Sequence, residues 1–524
     1  MLVHEFLETN AQLYPGKEAM VYLDDRRTYL ELNNSANRLA NFFIESGICP
    51  GDRIAILSEP LISYVISYFA ILKAGGIVVG LNTATTARIV RDLVNNCMAS
   101  AIVVQERFAG MVRQVIDECP SLKLIVIEGN YDKIDAKNNL SLSNFNDIMH
   151  DSDVKQPQVS RDLEDLASII YTSGTTGNPK GVMLSHRSLE ANTESIVEYL
   201  KLTPNDKVMA VLPFYYSYGH SLLLTHIKVG GSIVADNRFA YPNLILEIMS
   251  REQVTGFSGV PSTFAILLFK SNISHYKWEH LRYITQAGGP MTPALTIRLK
   301  ETLPNVEIYV MYGQTEASAR LSYLEPGMLF KKLGSIGRAI PGVTLIIRDS
   351  EGNVCPPNVP GEIVASGDNI MLGYWNQPEE TAKVLKGDGL HTGDLAKIDD
   401  DGFIYIVGRS SEMIKSGAHR ISPKEIEIIL AEHDAVMESA VVGIPDEILG
   451  ESIKAIVVLR DGVKVTERDI IKHCSQNLPA FKVPKTVEFA QSLPKTTSGK
   501  IQKHLLKTAA QNRETQSREE GARS

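Results

Sequence analysis

Short apolar runs alternate with amphipathic stretches through the first 130 residues, and this alternation constrains the fold more than any other feature of the chain. Residues 53–57, 77–81, 101–104 and 122–127 are β-prone runs of strand length. Between the first of them and the N-terminus, Leu32, Ala36, Leu39 and Phe43 recur on one helical face. Strands that are apolar throughout need cover on both faces, so the pattern predicts an α/β architecture of helix-covered sheets. Thr28-Tyr29-Leu30-Glu31 has the capping-box form, which starts a helix by satisfying two orphan amides reciprocally, and Gly47 is a C-cap for the same helix. Residues 61–81 are apolar enough to span a bilayer. Ser63, Ser67, Tyr68 and Lys73 interrupt the run and Gly75-Gly76 breaks it, so a buried helix followed by a strand is expected, and no membrane span.

A chain of 524 residues holds roughly three or four structural units at about 150 residues each. Residues 150–162 are polar, hold Pro157 and read as a connector. Residues 340–408 carry short β-prone runs and glycine turns, which predicts a small β-rich subdomain closing an N-terminal domain of residues 1–408. Residues 409–507 form a separate unit, and the polar, charged tail 508–524 is expected to be disordered. The net charge of −8 opposes non-specific nucleic-acid binding. The five cysteines, Cys49, Cys97, Cys119, Cys355 and Cys474, form no CxxC pair, which argues against a zinc site or disulfide scaffold and fits a reducing cytoplasm. Glu5 and Glu8, with no basic cluster, argue against a secretory signal.

The strongest chemical signal is YTSGTTGNPKG at residues 171–181. It follows the apolar run 167–170 and precedes Ser185, a helix-capping residue, so it reads as a loop between strand and helix. Its glycines let backbone amides approach phosphate oxygens, its hydroxyls donate hydrogen bonds, and Lys180 adds charge. It is not a Walker A loop, since GxxxxGK[ST] is absent.

With this loop the chain resembles the adenylate-forming superfamily of acyl-CoA synthetases and adenylation domains, over about residues 5–505. The motifs recur in family order: Tyr312-Gly313-Gln314-Thr315-Glu316, Gly361-Glu362, Gly373-Tyr374, His391-Thr392-Gly393-Asp394, Gly408-Arg409, Ile414-Lys415, Pro423-Lys424-Glu425-Ile426-Glu427, and PKTTSGK at 494–500. The resemblance implies ATP, Mg²⁺ and either coenzyme A or the phosphopantetheine of a carrier protein as co-substrates and cofactors. Thr172, Ser173, Gly174, Thr175, Thr176, Gly177 and Lys180 would hold the β- and γ-phosphates. Thr315 would contact the α-phosphate and Glu316 would hold Mg²⁺, a hard cation suited to carboxylate and phosphate oxygens. Tyr312, Gly313, Gln314 and Gly288 would border the nucleotide, Asp394 would accept both ribose hydroxyls, and Arg409 would reach ribose or phosphate. Lys500 would stabilise the charge that builds when a carboxylate attacks the α-phosphate. The C-terminal unit would be a small, mobile α+β domain that pivots at Ser411, where relatives carry Asp or Lys. Gly417, Ala418 and His419 would line the thiol tunnel, with Ala418 replacing the usual glycine.

The segment LPFYYSYGH at 212–220 resembles the wall of the family's acid pocket, with Tyr215, Tyr216 and Gly289 among the expected lining residues. It holds no acid, and a buried substrate ammonium without a counter-charge is costly, so an α-amino acid is disfavoured. His220 is expected to be structural rather than a base. The leading expectation is an AMP-forming acid–thiol ligase acting on a fatty or other aliphatic acid. A standalone enzyme loading an amino or imino acid onto a carrier protein, and a catalytically weakened nucleotide-binding protein, remain alternatives. The sequence leaves acceptor, chain length and oligomeric state open.

Overall fold

A computed structural model describes residues 1–59, 61–130, 140–173, 179–409, 412–417, 419–446, 449–496 and 501–510. Among these, two large sheets carry the architecture. The nine-stranded sheet runs, edge to edge, through Arg338–Ala339, Ser322–Leu324, Glu307–Tyr312, Tyr283–Gln286, Gly256–Gly259, Lys207–Ala210, Ser232–Ala235, Glu18–Tyr22 and Asp25–Thr28. Its middle is parallel and both edges are antiparallel. The eight-stranded sheet runs through Gly373–Tyr374, Pro179–Ser185, Leu166–Ser173, Ile77–Gly80, Arg53–Leu57, Ala101–Gln105, Leu124–Glu128 and Ser141–Asn144. It too is parallel except at the Leu166–Ser173 end.

Helices fill the space between the sheets. One continuous core joins Met20, Val208 and Ile233 of the first sheet to Ile54, Val78 and Val103 of the second. Every residue of the helix Ile62–Lys73 is buried there, and that is why its sequence is apolar on all faces. The glycines that follow turn the chain into the strand Ile77–Gly80. The apolar run is therefore a helix and a strand of the core, and no described helix is long and apolar enough to cross a membrane. The neighbouring helix Tyr29–Glu45 starts in the expected capping box and is followed by Gly47 at φ +81°.

A five-stranded antiparallel sheet of Val343–Arg348, Gly361–Gly367, Leu385–Lys386, Gly389–Ile398 and Ile404–Arg409 follows. The C-terminal sheet of Ile414–Ser416, His419–Ile421, Val436–Asp446, Gly450–Leu459 and Thr486–Phe489 packs the helices Pro423–Ala431 and Glu467–Asn477 over a core of its own. All five cysteines are free thiols.

One local expectation is corrected. The segment 171–181 does not join a strand directly to a helix. It is the turn of an antiparallel hairpin, because Pro179–Ser185 pairs back along Leu166–Ser173, with Thr172 opposite Lys180, before Ser185 caps the helix His186–Leu200. The helix that follows therefore starts only after the second strand of the hairpin, at His186.

Candidate active site

Four adjacent parallel strands of the nine-stranded sheet release their chains at the same edge: Lys207–Ala210, Gly256–Gly259, Tyr283–Gln286 and Glu307–Tyr312. The segments that follow include Tyr215, Tyr216, Ser217, Gly288, Gly289 and the run Tyr312 to Glu316. Carboxyl ends of parallel strands are where open α/β sheets bind ligands.

The Tyr312 hydroxyl donates to Asp394 Oδ2 at 2.7 Å, and Arg409 Nε donates to Asp394 Oδ1 at 2.8 Å. Asp394 and Arg409 are cross-strand partners, so register delivers them to each other. Asp394 is 4% exposed. Burial, then the neighbouring carboxylate, raises the Tyr312 phenol well above its ordinary value. The Asp394 charge likewise raises the Arg409 guanidinium. Gly393, at φ +73°, donates its amide to Glu362 Oε1 at 2.9 Å, which fixes the turn that aims Asp394. A carboxylate has about four acceptor positions, so Asp394 can still take further donors.

Thr315 opens a short 3₁₀ turn, and its hydroxyl lies 3.2 Å from that of Ser217. Gly313 is required here, since a Cβ would meet the Ala319 carbonyl oxygen at 2.0 Å. Glu316 Oε1 accepts from the Tyr374 hydroxyl at 2.8 Å. Lys180 Nζ stands 4.8 Å from the centroid of the same tyrosine ring and donates to Glu380 Oε2 at 2.7 Å. The hydrogen bond from Lys180, then that from Lys383, pulls the Glu380 carboxyl down to about 2. Thus the lysine of the hairpin and the acid of the Tyr312–Glu316 run, 136 residues apart in sequence, meet on Tyr374. The roles of Tyr374 and Glu380 escaped the sequence reading. Tyr374 was visible only as part of a motif, and its strand is two residues long, too short for periodicity to reveal.

Tyr215 is buried, its hydroxyl lies 3.2 Å from that of Thr83, and burial pushes its pKa up to about 12. Tyr216 is half-buried and accepts from Asn82 Nδ2 at 3.2 Å. The Gly289 carbonyl accepts from Gln286 Nε2 at 2.8 Å, while Gly288, at φ +80°, is exposed. His220 is 2% exposed, edge-on to Tyr68 at 5.0 Å, and burial lowers its pKa to about 4. A neutral, enclosed imidazole fits the structural role expected of it.

Thr172 lies in the hairpin, its hydroxyl 3.4 Å from the Lys180 carbonyl, and Ser173 ends the strand. Gly174, Thr175, Thr176, Gly177, Ser411, Ala418 and Lys500 lie outside the described residues. Gly417 donates its amide to the Leu449 carbonyl, and His419 stacks on Phe481 at 4.1 Å, so both belong to the C-terminal sheet.

The C-terminal sheet is tied to the preceding one by Lys424, whose Nζ donates to the Ile406 carbonyl at 3.1 Å. Its side chain keeps some surface contact, yet burial pushes its pKa down to about 8, against the pull of Glu427 and Asp394. A lysine that holds its proton less tightly when folded penalises folding fully below about pH 8, and the penalty fades as pH rises towards 10.5. Lys424→Met should remove that contribution, whose slope is at most about 1.4 kcal/mol per pH unit. Urea midpoints of both proteins between pH 7 and 10 check this, and parallel pH dependences would refute it.

The AMP-binding enzyme family matches residues 7–375, and the AMP-binding enzyme C-terminal domain family matches residues 425–500. A long-chain-fatty-acid–CoA ligase of Yersinia pestis is 32% identical, over 96% of this chain and 93% of its own. The anthranilate CoA ligase AuaEII, solved with anthranoyl-AMP, superposes with a TM-score of 0.91 at 29% identity over 98% of each chain. ATP-bound MatB from Rhodopseudomonas palustris superposes with a TM-score of 0.84 at 28% identity, over 97% of this chain and 99% of that one. The first two of these relatives differ in the acid that their names give, and the two solved structures share this architecture over nearly the whole chain. The chain therefore belongs to the AMP-binding, adenylate-forming family of acyl-CoA ligases, and is homologous to AMP-forming acid–CoA ligases.

Proposed function

We propose that the protein is an ATP-dependent ligase that activates a fatty or other aliphatic carboxylic acid and passes the acyl group to the thiol of coenzyme A or of a carrier protein. The acid's carboxylate attacks the α-phosphorus of ATP and pyrophosphate leaves. The thiol then displaces AMP from the mixed anhydride to give the thioester. The observation that carries the reading is that Asp394 and Arg409 gather at Tyr312, one end of the Tyr312–Glu316 run, while Tyr374 and Lys180 gather at Glu316, its other end.

In this reading Asp394 accepts the ribose hydroxyls and Arg409 steadies ribose or phosphate. Thr315 donates to the α-phosphate. The 172–180 hairpin grips the outer phosphates, with Lys180 exchanging Glu380 for phosphate oxygen. Gly288 and the Tyr312 to Gln314 run border the nucleotide. Among the described residues no cluster of three His, Cys, Asp or Glu could hold a metal unaided. The lone carboxylate of Glu316 nonetheless suits Mg²⁺, which takes one or two protein carboxylates and completes its shell with phosphate and water. When bound, Mg²⁺ supplies charge neutralisation on the phosphates. Residues 1–408 form the catalytic body, and 409–507 turn about Ser411 to offer first Lys500, then the Gly417–Ala418–His419 tunnel. The protein works in the cytoplasm.

The test is pyrophosphate release across a panel of acids, each with and without coenzyme A or a phosphopantetheinylated carrier protein. Release should require both Mg²⁺ and an acid that lacks an α-ammonium. Inorganic phosphate as product, or turnover confined to free amino acids, would defeat the reading.

A further inference from the structure

Arg320 lies four residues beyond Glu316 and is 2% exposed. No carboxylate pairs with it among the described residues. Nη1 donates to the Ala319 carbonyl at 3.3 Å and Nη2 to Ser221 Oγ at 3.4 Å, both long, and Nε has no partner. Its guanidinium carbon rests 4.5 Å from the centroid of the Tyr218 ring, and the guanidinium also hydrogen-bonds to the Tyr199 hydroxyl. A guanidinium stays charged under all ordinary conditions, and a buried charge without a counter-ion is expensive. Aromatic faces and hydrogen bonds to three neutral groups offset only part of that cost.

The place of this charge matters as much as its isolation. Tyr218 packs against the small apolar cluster of Leu212, Leu222 and Val260, which lies on the segment read as the acid-pocket wall and its neighbours. The residue before it, Ser217, lies within hydrogen-bond reach of Thr315, at the end where the carboxylate would react. Arg320 is also held rigidly. Asn192 and Asn369 both donate their side-chain amides to its carbonyl, and Ser318, at φ +61°, is anchored to the Ser188 and Asn369 carbonyls. A preorganised fork with an unused N–H matches a carboxylate, which can accept from two guanidinium N–H groups at once.

We propose that Arg320 receives a second carboxylate, carried by the substrate at the end remote from the carboxyl that is activated. The acid is then a short α,ω-dicarboxylic acid whose apolar middle lies along Leu212, Leu222 and Val260. The two ends are marked by Ser217, which faces Thr315, and Ser221, which faces Arg320 one turn further along the same helix, so the spacer is short, on the order of 6 Å. This rests on the ligase reading above and narrows its substrate.

The experiment measures kcat/KM for pyrophosphate release with matched straight-chain mono- and dicarboxylic acids, from butanoic and butanedioic acid upward. It compares the unmodified protein with Arg320→Met and Arg320→Lys. The unmodified protein should favour the diacids. Arg320→Met should lower the diacid-to-monoacid ratio by about 100-fold or more, since a site built for a polar group rejects what leaves it unpaired. Arg320→Lys should lower the ratio less. A ratio measured within one preparation does not depend on how much of a variant folds. Preference of the unmodified protein for monoacids throughout, or an unchanged ratio in Arg320→Met, would overturn the assignment of Arg320 alone. Absence of pyrophosphate with every acid of both kinds would instead remove the ligase reading, and this assignment with it.

Discussion

Lys500→Ala should slow acyl-adenylate formation by roughly 10²–10³, while thioester formation from a pre-made acyl-adenylate proceeds nearly as before. Attack of a carboxylate on the α-phosphate brings two anions together, and a positioned ammonium lowers the barrier only where charge builds. Losing one such contact costs roughly 3–4 kcal/mol of transition-state stabilisation. The second half-reaction expels AMP without that build-up against the incoming acid, so it has no need of the same lysine. Lys500 itself lies outside the described residues, but its loop is held at both feet. Lys495 and Ile501 form an antiparallel bridge, the Gln502 amide donates to the Pro494 carbonyl at 2.8 Å, and Lys495 pairs with Glu438 at 2.5 Å. Single-turnover measurement of each half-reaction decides the matter, and equal losses in both would contradict the role.

Glu8→Leu should destabilise the protein by about 3–5 kcal/mol, and the double change Glu8→Leu with Lys73→Met should recover most of that loss. Lys73 ends the enclosed helix Ile62–Lys73, and its side chain is 1% exposed. Glu8, on the helix Glu5–Leu13, meets it at 2.5 Å and also accepts from Gln156 Nε2 at 2.7 Å. Burial already lowers the Lys73 pKa, and Glu8 is what opposes that shift. Removing the acid leaves an ammonium in the core, whereas removing both leaves apolar contact. Urea denaturation of the single and double variants gives the comparison. A double variant as unstable as Glu8→Leu would show that packing around the helix, not the charge, sets the cost.

The sequence made legible whatever depends on near neighbours. Thr28 and Glu31 announced their helix because capping acts over three residues, and the breaks at Ser63, Lys73 and Gly75-Gly76 told a buried helix from a span. The family motifs marked Tyr312, Thr315, Glu316, Asp394 and Arg409, and the structure joins Tyr312, Asp394 and Arg409 in one hydrogen-bonded group. Illegible were features fixed by strand order. The hairpin of 171–181 looked like a strand-to-helix loop because Pro179 and Gly181 weaken the strand signal of 179–185. The convergence of Lys180 and Glu316 on Tyr374 needs the strand Gly373–Tyr374 to dock beside Pro179–Ser185. Arg320 gave no sign of its isolation, because an arginine in sequence is most often solvated, and only the fold shows that no acid among the described residues reaches it.

The helix Ile62–Lys73 is shared property. Its faces pack into the one core that residues of both large sheets share, so the loss of either sheet would strip cover from that helix. Two sheets that might have been independent folding units are thereby coupled, and should lose their shared interior together on denaturation. The C-terminal sheet, with Ile414, Ile426, Leu430 and Val441 in an interior of its own, takes no part in that shared core.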